Sequence, residues 1–568
     1  MSAAPPVTPP AAPPSDVVNL EVDGKACQGK KGQMIIHVTD AQGAYVPRFC
    51  YHDKLPIAAN CRMCLVEVEK APKPLPACAT PIGEGMKIFT KSPKAIGAQK
   101  ATMEFLLINH PLDCPICDQG GECELQDLAM GFGRDAARFH ERKRVVKDKD
   151  LGPLVSTDMT RCIHCTRCVR FTEEIAGIQE LGMIGRGEHM EVRSYIESTV
   201  NHELSGNVID LCPVGALVSK PYRFSARAWE MTSHPLVAPH DGIGTNVFAH
   251  VLRGKLMRVV PRENEEINET WIADRDRFSY EGVYSPERLT APMVREGDEW
   301  KKVDWETALK KVADGLRAKA SSLGVLAGAS ATTEELYLLG KIARALGTSN
   351  IDHRLRQRDV RDQAADPLHP TLGLQISNVE KLESLLLVGC NLRREAPMLA
   401  HRVRKAARAG TKVSFINPAK FDYLFPVASY IEASAANTVA ELAGVLSALA
   451  AGGAQVPANV AASVQAAQVT DAHRALAEKL KSGGPLRTPQ SPGGLEGRGK
   501  AIILGALAMR SAAYSDIRAL ASAIASATGA SFGVLAEGAN SAGAFLAGAV
   551  PHREAGGVTA AKAGLSAF

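Results

Sequence analysis

Cysteine placement constrains this chain more than any other feature of its sequence. Eleven of the thirteen cysteines lie between residues 50 and 212, which is less than a third of the 568 residues. A disulfide framework explains such a density in small secreted domains. The N-terminal stretch MSAAPPVTPPAAPPSD has neither the positive nor the apolar region of a signal peptide, and is predicted to be a disordered tail. The thiols are therefore expected to be reduced and to bind a cofactor.

The phrase RCIHCTRC spaces three thiols two residues apart, at Cys162, Cys165 and Cys168. Structural zinc requires two Cys/His pairs that converge on one tetrahedral ion. Three closely spaced thiols instead match three corners of a cube-like iron-sulfur cluster. Cys212, in DLCPVGAL, is the predicted fourth ligand because a Cys-Pro pair ends such motifs in bacterial ferredoxins. These four cysteines are called the third set.

The phrase HPLDCPICDQGGEC holds three thiols and leaves a [4Fe-4S] cluster one ligand short. A histidine can complete an iron site. His110 is expected to follow a helix over residues 93–109, because Pro111 disfavours helical geometry at the residue before it. If His110 only ends that helix, Asp113 or Asp118 is the next candidate. The second set is His110, Cys114, Cys117 and Cys123.

Four further cysteines have the spacing C-x10-C-x2-C-x13-C in a stretch with strand propensity. Four thiolates of this kind suit a [2Fe-2S] centre, although the first gap is longer than in plant-type ferredoxins. Cys27 and Cys390 lie outside all three sets and are interpreted as buried small side chains. The first set is Cys50, Cys61, Cys64 and Cys78.

The pattern of apolar residues predicts two kinds of structure. Before residue 110, strands alternate with turns, and the turn Asp23-Gly24 is predicted to join strands 17–22 and 34–38 into a hairpin. After residue 300, short apolar strands alternate with helices, which favours a layered α/β domain with a largely parallel sheet. The other predicted strands are 65–68, 86–89, 247–251, 256–260, 325–327, 385–388, 413–416 and 502–504, and the other predicted helices are 332–346 and 398–408; residues 483–499 are predicted to be an exposed loop.

Composition excludes two broad classes of function. The net charge of +5 is small for 568 residues and gives no case for nucleic-acid binding. The basic run 134–149 also contains acidic residues, and is interpreted as a solvated linker or a subunit-contact face. The uncharged stretch 519–536 is too rich in Ala, Ser and Gly to be a membrane span. Any membrane contact is expected to go through partner subunits.

With the three sets placed, the chain resembles the large iron-sulfur subunits of the respiratory complex I family. The resemblance is carried by residues 50–78, by HPLDCPICDQGGEC, by CIHCTRC with DLCPVGAL, and in the C-terminal half by INETWIADRDRFSYEG and EGANSAGAFLAGAVPHR. It implies one [2Fe-2S] cluster on the first set and one [4Fe-4S] cluster on each of the other two. It also implies an electron relay without its own catalytic site or flavin, which takes electrons from a flavin-bearing NADH dehydrogenase subunit and passes them through quinone-side iron-sulfur subunits toward quinone.

The resemblance implies an α+β multidomain chain in a complex that couples electron transfer to ion translocation, peripheral on the cytoplasmic side of a bacterial inner membrane. Family members usually continue beyond the equivalent of Phe568, so a C-terminal portion is expected to be missing or trimmed. The implied divisions are a disordered tail (1–16), a ferredoxin-like β-grasp [2Fe-2S] domain (17–92), a small helical [4Fe-4S] domain with one histidine and three cysteine ligands (93–150), a ferredoxin-like [4Fe-4S] domain (151–228) and a molybdopterin-oxidoreductase-like α/β domain without pterin (229–568).

Two enzymes compete with the relay, a molybdenum-dependent formate dehydrogenase and an iron-only hydrogenase. A hydrogenase cluster needs several further cysteines, but only Cys390 follows Cys212. Some bacterial family members hold one more [4Fe-4S] cluster, which would link a pterin to the N-terminal clusters. Its absence is expected here because the four ligand positions carry other residues, Ala238, Asp241, Thr245 and Ala273.

Overall fold

The computed structural model describes residues 16–194, 199–483 and 499–567. They belong to two compact units, one ending at Met231 and the other beginning at Thr232. The predicted N-terminal tail lies outside the described residues apart from Asp16. Most of the predicted loop 483–499 lies outside them too.

A five-stranded mixed sheet begins the first unit, in the strand order β2-β1-β5-β3-β4. The first strand pairs antiparallel with the second and parallel with the fifth. Side chains in a strand point alternately to opposite faces, and accordingly Leu20 and Val22 are buried in the core while their neighbours are not. The strands are β1 Val17–Val22, β2 Lys25–Lys30, β3 Leu65–Val68, β4 Leu75–Pro76 and β5 Met86–Phe89.

The predicted strand 34–38 is wrong, because this segment forms the helix α1, Ile35–Ala41. The turn at Asp23-Gly24 is right, but the partner of β1 is β2, Lys25–Lys30. Ile35, Ile36 and Val38 have high strand propensity, yet all three are buried in the hydrophobic core that includes β1. Burial against the sheet overrides local propensity here.

Two helices frame the second set. The helix α2, Pro93–Leu107, begins as predicted, since the Ser92 hydroxyl accepts a hydrogen bond from the Ala95 amide and Pro93 is its first residue. The helix α3 covers Glu124–Phe132 and has Cys123 as its N-cap residue. The second set therefore occupies the connection between the two helices.

The rest of the first unit is built from short elements around the third set. β6 pairs antiparallel with β9, and β7 pairs antiparallel with β8. A π-helix over Phe171–Ala176 continues α4 directly. The elements are β6 Val155–Thr157, α4 Arg167–Arg170, β7 Leu181–Ile184, β8 Glu191–Ser194, α5 Asn207–Leu211 and β9 Leu217–Ser219.

The second unit begins with the antiparallel strands β10 Thr232–Val237, β11 Asn246–Leu252 and β12 Lys255–Pro261. The hairpin predicted over 247–260 is confirmed by the pairing of β11 with β12. Arg253 and Gly254 both have positive φ and form the turn. The remaining small strands are the pair β13 Met293–Glu296 and β14 Glu299–Lys302 and the pair β15 Val325–Leu326 and β16 Ile351–Asp352.

A five-stranded parallel sheet forms the centre of the second unit, in the order β19-β18-β17-β20-β21. Its central strands are nearly continuous runs of buried apolar residues, as expected for a sheet covered on both faces. The predicted strands near 385, 413 and 502 are thus confirmed. The strands are β17 Leu382–Val388, β18 Lys412–Asn417, β19 Ser429–Glu432, β20 Gly499–Leu504 and β21 Ser531–Val534.

Helices complete the second unit. The predicted capping box is present, with Thr332 and Glu335 exchanging side-chain to backbone hydrogen bonds at the start of α8. The helices are α6 Asp274–Phe278, α7 Trp305–Ala318, α8 Thr333–Ala345, α9 Leu392–Glu395, α10 Pro397–Arg408, α11 Thr438–Ala451, α12 Ala461–Ala466, α13 Asp471–Lys481, α14 Ala506–Met509, α15 Tyr514–Thr528 and α16 Ser541–Leu546. Within the described residues, none of the helices has the length and apolar character needed to cross a bilayer.

Candidate iron-sulfur centres

The first set converges on the loops between α1 and β5. All four thiols are buried, and they form one hydrogen-bonded group in which Cys50 is shared with Cys61 and Cys78, and Cys64 with Cys78. The hydrogen bonds from Cys61 and Cys78 lower the pKa of Cys50, and the bond from Cys78 lowers the pKa of Cys64. Such sharing favours the thiolate form, which is the form that binds metal.

The second set lines a cavity of about 270 Å³ between α2 and α3. All four predicted side chains face it, together with Asp113, Arg161 and Gly215. Cys117 and Cys123 are buried, whereas Cys114 is exposed. The turn before them is closed by the Ile116 and Cys117 amides, which both donate to the Asp113 carbonyl at 2.9 Å. The loop therefore presents three thiols and one imidazole to a common space.

His110 has the properties of a ligand rather than of a helix-end residue. Its Nδ1 atom is buried and has no hydrogen-bond partner among the described residues. Burial lowers the pKa of His110 to about 4, with help from the positive charges of Lys143 and Arg161. The ring is thus neutral near pH 7 and keeps a lone pair for a metal.

The two aspartates named as alternatives to His110 are partly committed to other contacts. The Asp113 carboxylate lies 3.1 Å from the Arg161 guanidinium. One Asp118 oxygen accepts a hydrogen bond from the Phe224 amide at 2.8 Å, and Asp118 does not line the cavity. His110 is therefore the better match to the vacant ligand position.

The third set lies on a tight loop before α4 and at the end of α5. His164 and Thr166 both have positive φ, which turns the backbone between the cysteines. Burial raises the pKa of Cys165 and Cys212 to about 12, and the charge that each thiolate would place on its neighbours adds to this effect. Four adjacent buried thiolates are unfavourable by themselves, so a bound cationic iron core fits the missing compensation.

A single metal ion fits the described residues less well than clusters do. Among residues 16–194, 199–483 and 499–567, no three His, Cys, Asp or Glu side chains form a group that could hold one metal ion. A cluster spreads its ligands around several iron atoms, and so needs no such common point. The chemistry of the donors, eleven thiols and one imidazole in three groups, favours iron-sulfur over a structural zinc ion.

Sequence reasoning missed four residues that hold these sites, namely three arginines and Gly215. The Arg161 guanidinium contacts Asp113 and the Gly215 carbonyl, which joins the second set to the segment after Cys212. Arg167 and Arg170 flank the last cysteine of the RCIHCTRCVR motif and reach the loop of the first set. The signal for the three arginines was present in that motif, where they alternate with the cysteines.

The four positions of the possible extra cluster carry no cysteine and are packed with protein atoms. All four side chains are buried, and the Ala238 amide donates to the Thr245 carbonyl at 2.9 Å. Asp241 accepts a hydrogen bond from the Ile243 amide at 3.0 Å and forms an ion pair with Arg275. These residues do not fit an iron-sulfur cluster, since they offer no thiol at all.

The carboxyl ends of β17, β20 and β21 border a cavity of about 310 Å³, where ligands bind in open α/β sheets. The Glu395 carboxylate already accepts hydrogen bonds there from the Asn391 amide at 2.6 Å and the Ala506 amide at 2.8 Å. Cys390 is completely buried, as predicted, and burial raises its pKa well above the usual range. These residues do not fit a phosphate-bearing pterin with a cysteine-ligated molybdenum.

Comparison with known proteins agrees with this geometry. Family models match nearly the whole chain in order: "2Fe-2S iron-sulfur cluster binding domain" over 15–93, "NADH-ubiquinone oxidoreductase-G iron-sulfur binding region" over 99–138, "NADH-quinone oxidoreductase subunit 3, ferredoxin-like domain" over 152–218, "NADH-ubiquinone oxidoreductase NDSU1/NuoG-like, 4Fe-4S domain" over 237–281, and "Molybdopterin oxidoreductase" over 288–565. The predicted fold class is confirmed by this order. The match over 237–281 covers a stretch that contains no cysteine in this chain.

Curated relatives include the G subunit of the NADH-quinone oxidoreductase of Rickettsia felis, the NADH-ubiquinone oxidoreductase 75 kDa subunit of Reclinomonas americana and the mitochondrial NADH dehydrogenase [ubiquinone] iron-sulfur protein 1 of Solanum tuberosum. Each is 46% identical, over 70%, 68% and 72% of this chain. The chain spans 59%, 58% and 56% of their lengths. With three ligand sets and five consecutive family matches, the chain belongs to the family formed by the G subunits of NADH-quinone oxidoreductases and the 75 kDa iron-sulfur subunits.

Proposed function

We propose that this chain is an electron relay within an NADH:quinone oxidoreductase complex. It takes single electrons from a flavin- and NADH-binding partner and passes them to quinone-side iron-sulfur subunits, in a complex that couples the transfer to ion translocation. The bound clusters supply reversible one-electron chemistry. The protein's part is to hold them in position, so it needs no catalytic site of its own. We further propose the domain division 17–92, 93–150, 151–228 and 229–568, and a peripheral location on the cytoplasmic side of a bacterial inner membrane.

The observation that carries the proposal is that residues of neighbouring ligand sets touch each other. Between the first and third sets, one Arg170 nitrogen donates to the carbonyls of both Cys50 and Cys165. The Asn60 amide, next to Cys61, donates to the His164 carbonyl at 3.1 Å. Through these contacts the loops of the two sets lie side by side.

Between the third and second sets the connection is shorter still. The Cys123 thiol lies 3.6 Å from the carbonyl of Pro213, the residue after Cys212. A side chain at Gly215 would collide with the Cys117 sulfur. The segment 212–215 therefore borders both sites, and we propose the order first set, third set, second set for electron transfer.

The competing formate dehydrogenase has one observation in its favour, the match of residues 288–565 to molybdopterin oxidoreductases. The filled amides at Glu395 and the cysteine-free positions of the extra cluster weigh against it. Growth in tungstate, which replaces molybdenum in pterin enzymes, separates the two functions. A relay keeps full NADH:quinone activity in the assembled complex, whereas a formate dehydrogenase loses its activity.

The proposed function is tested on the full chain with clusters installed and, in parallel, on the assembled complex. The isolated chain should show one [2Fe-2S] and two [4Fe-4S] signals in electron paramagnetic resonance (EPR) after reduction with dithionite. NADH should reduce these clusters in the complex but not in the isolated chain. Reduction of the isolated chain by NADH, or fewer than three cluster signals, contradicts the relay.

A further inference from the structure

One arginine contacts loops from all three ligand sets. Arg167 lies on α4 between Cys165 and Cys168, and its side chain is only 6% exposed. Its guanidinium donates to the Tyr51 carbonyl at 3.1 Å and to the Leu211 carbonyl at 3.4 Å. It also holds both oxygens of Glu124, at 2.7 and 3.0 Å. This planar, two-pronged geometry is one that arginine makes and lysine does not.

Each acceptor of Arg167 is the chain neighbour of a candidate ligand from a different set. Tyr51 follows Cys50 of the first set, Leu211 precedes Cys212 of the third set, and Glu124 follows Cys123 of the second set. Arg167 itself precedes Cys168. A single buried side chain therefore ties together three loops that are far apart in sequence.

Arg170, one turn later on the same helix, offers a matched comparison. It contacts the carbonyls of Cys50, Pro56 and Cys165, which belong to the first and third sets or their loops. None of its hydrogen bonds within the described residues reaches the second set. The two arginines thus differ in which sites they reach.

We propose that Arg167 is a positioning residue shared by all three centres, one that aligns their loops and places one positive charge where it favours the reduced form of each cluster. Glu124, paired with it, opposes that charge most strongly at the second set. This inference rests on the proposed relay function. It adds that the three centres are electrostatically linked through one side chain.

The physical reason is that reduction adds one negative charge to a cluster. A unit charge acting over about 10 Å at an effective dielectric constant of about 20 changes such an equilibrium by roughly tenfold. For a one-electron centre, a tenfold change corresponds to about 59 mV. Removing the cation should therefore make all three clusters harder to reduce, and removing the paired carboxylate should make them easier to reduce.

The test is a redox titration of the assembled complex, followed by EPR, for Arg167→Gln, Arg167→Lys, Glu124→Gln and Arg170→Gln. Arg167→Gln should disfavour reduction of all three clusters by roughly tenfold. Arg170→Gln should do so at the first and third sets and leave the second set unchanged. Glu124→Gln should shift the equilibria in the opposite direction, with the largest effect at the second set. Arg138→Gln, which removes a surface ion pair with Glu104 in the same unit, is the control.

The opposite signs distinguish a charge effect from a purely structural one. Arg167→Lys should retain the potentials because it keeps the charge, while losing some cluster occupancy because it cannot hold Glu124 with two hydrogen bonds. Shifts of the same sign in Arg167→Gln and Glu124→Gln, or a shift confined to the third set, overturn the inference. If Arg167→Gln loses its clusters, Glu124→Gln and Arg167→Lys still decide the matter. Absence of three clusters from the wild-type complex contradicts the relay itself instead.

Discussion

Replacement of Gly215 by alanine should remove the cluster of the second set while leaving the protein folded. Gly215 is buried, and its φ is not positive, so alanine can adopt the same backbone conformation. The added Cβ, however, would lie 2.1 Å from the Cys117 sulfur, where ordinary contact begins at 3.4 Å. The sulfur must therefore retreat by about 1.3 Å.

The size of this displacement sets the expected effect. Ligand distances in a metal site tolerate deviations of about 0.2 Å, several times less than the required movement. The thiol can move by rotation of one side-chain torsion, so the folded chain should lose no more than the about 1–3 kcal/mol that is typical of overpacking. The cluster should suffer far more than the fold.

The assay is iron content together with EPR of the dithionite-reduced full chain, with thermal unfolding as the measure of folding. Gly215→Ala should lose most of the second-set signal and retain that of the first set. The third-set signal should change less, because Gly215 lies beyond Cys212 and faces Cys117. Gly131→Ala, on α3 where an added Cβ meets nothing within 4 Å, is the matched control. A full second-set signal in Gly215→Ala would refute the reasoning.

Two further predictions concern a candidate ligand and a buried ion pair. His110→Ala should weaken or abolish the second-set cluster, and His110→Cys should retain more iron than His110→Ala because it restores a fourth thiolate; an unchanged EPR signal and potential in His110→Ala would mean that His110 is not a ligand. In the second unit, Glu269 is buried with its carboxylate 2.8 Å from the His401 ring, and although burial alone raises its pKa, the hydrogen bonds and charges of His401 and Lys405 bring that pKa well below the usual value of 4.5. The paired carboxylate therefore stabilises the fold above about pH 4.5, and this contribution is lost as the pH falls toward its folded-state pKa. Thermal unfolding of Glu269→Gln should show a lower midpoint at pH 7 and a smaller further loss below pH 4.5 than wild type; an equally steep acid loss in both proteins would contradict this assignment.

Local signals in the sequence were sufficient for much of the fold. The Ser92 and Thr332 caps, the Arg253-Gly254 turn and the strands β3 and β5 were predictable because each depends on residues that are close in the chain. The buried runs of the parallel sheet were predictable for a related reason. A strand covered on both faces must be apolar throughout, and that shows directly in its composition.

The error at residues 34–38 had the opposite cause. The β-branched run there favours a strand locally, and only the shape of the sheet above it makes a helix the better way to bury Ile35, Ile36 and Val38. The pairing of β1 with β2 likewise depended on which of two nearby segments the turn would reach.

For the centres, the sequence by itself determined which residue types are grouped and how many sets there are, because ligand chemistry is written in short spacings. It did not determine how the sets meet. The contact of Gly215 with Cys117, and the reach of Arg167 to loops around residues 51, 124 and 211, join segments separated by 43 to 116 positions. Such contacts arise only when several loops pack together, since no local rule relates residues so far apart, and the tertiary structure alone decides them.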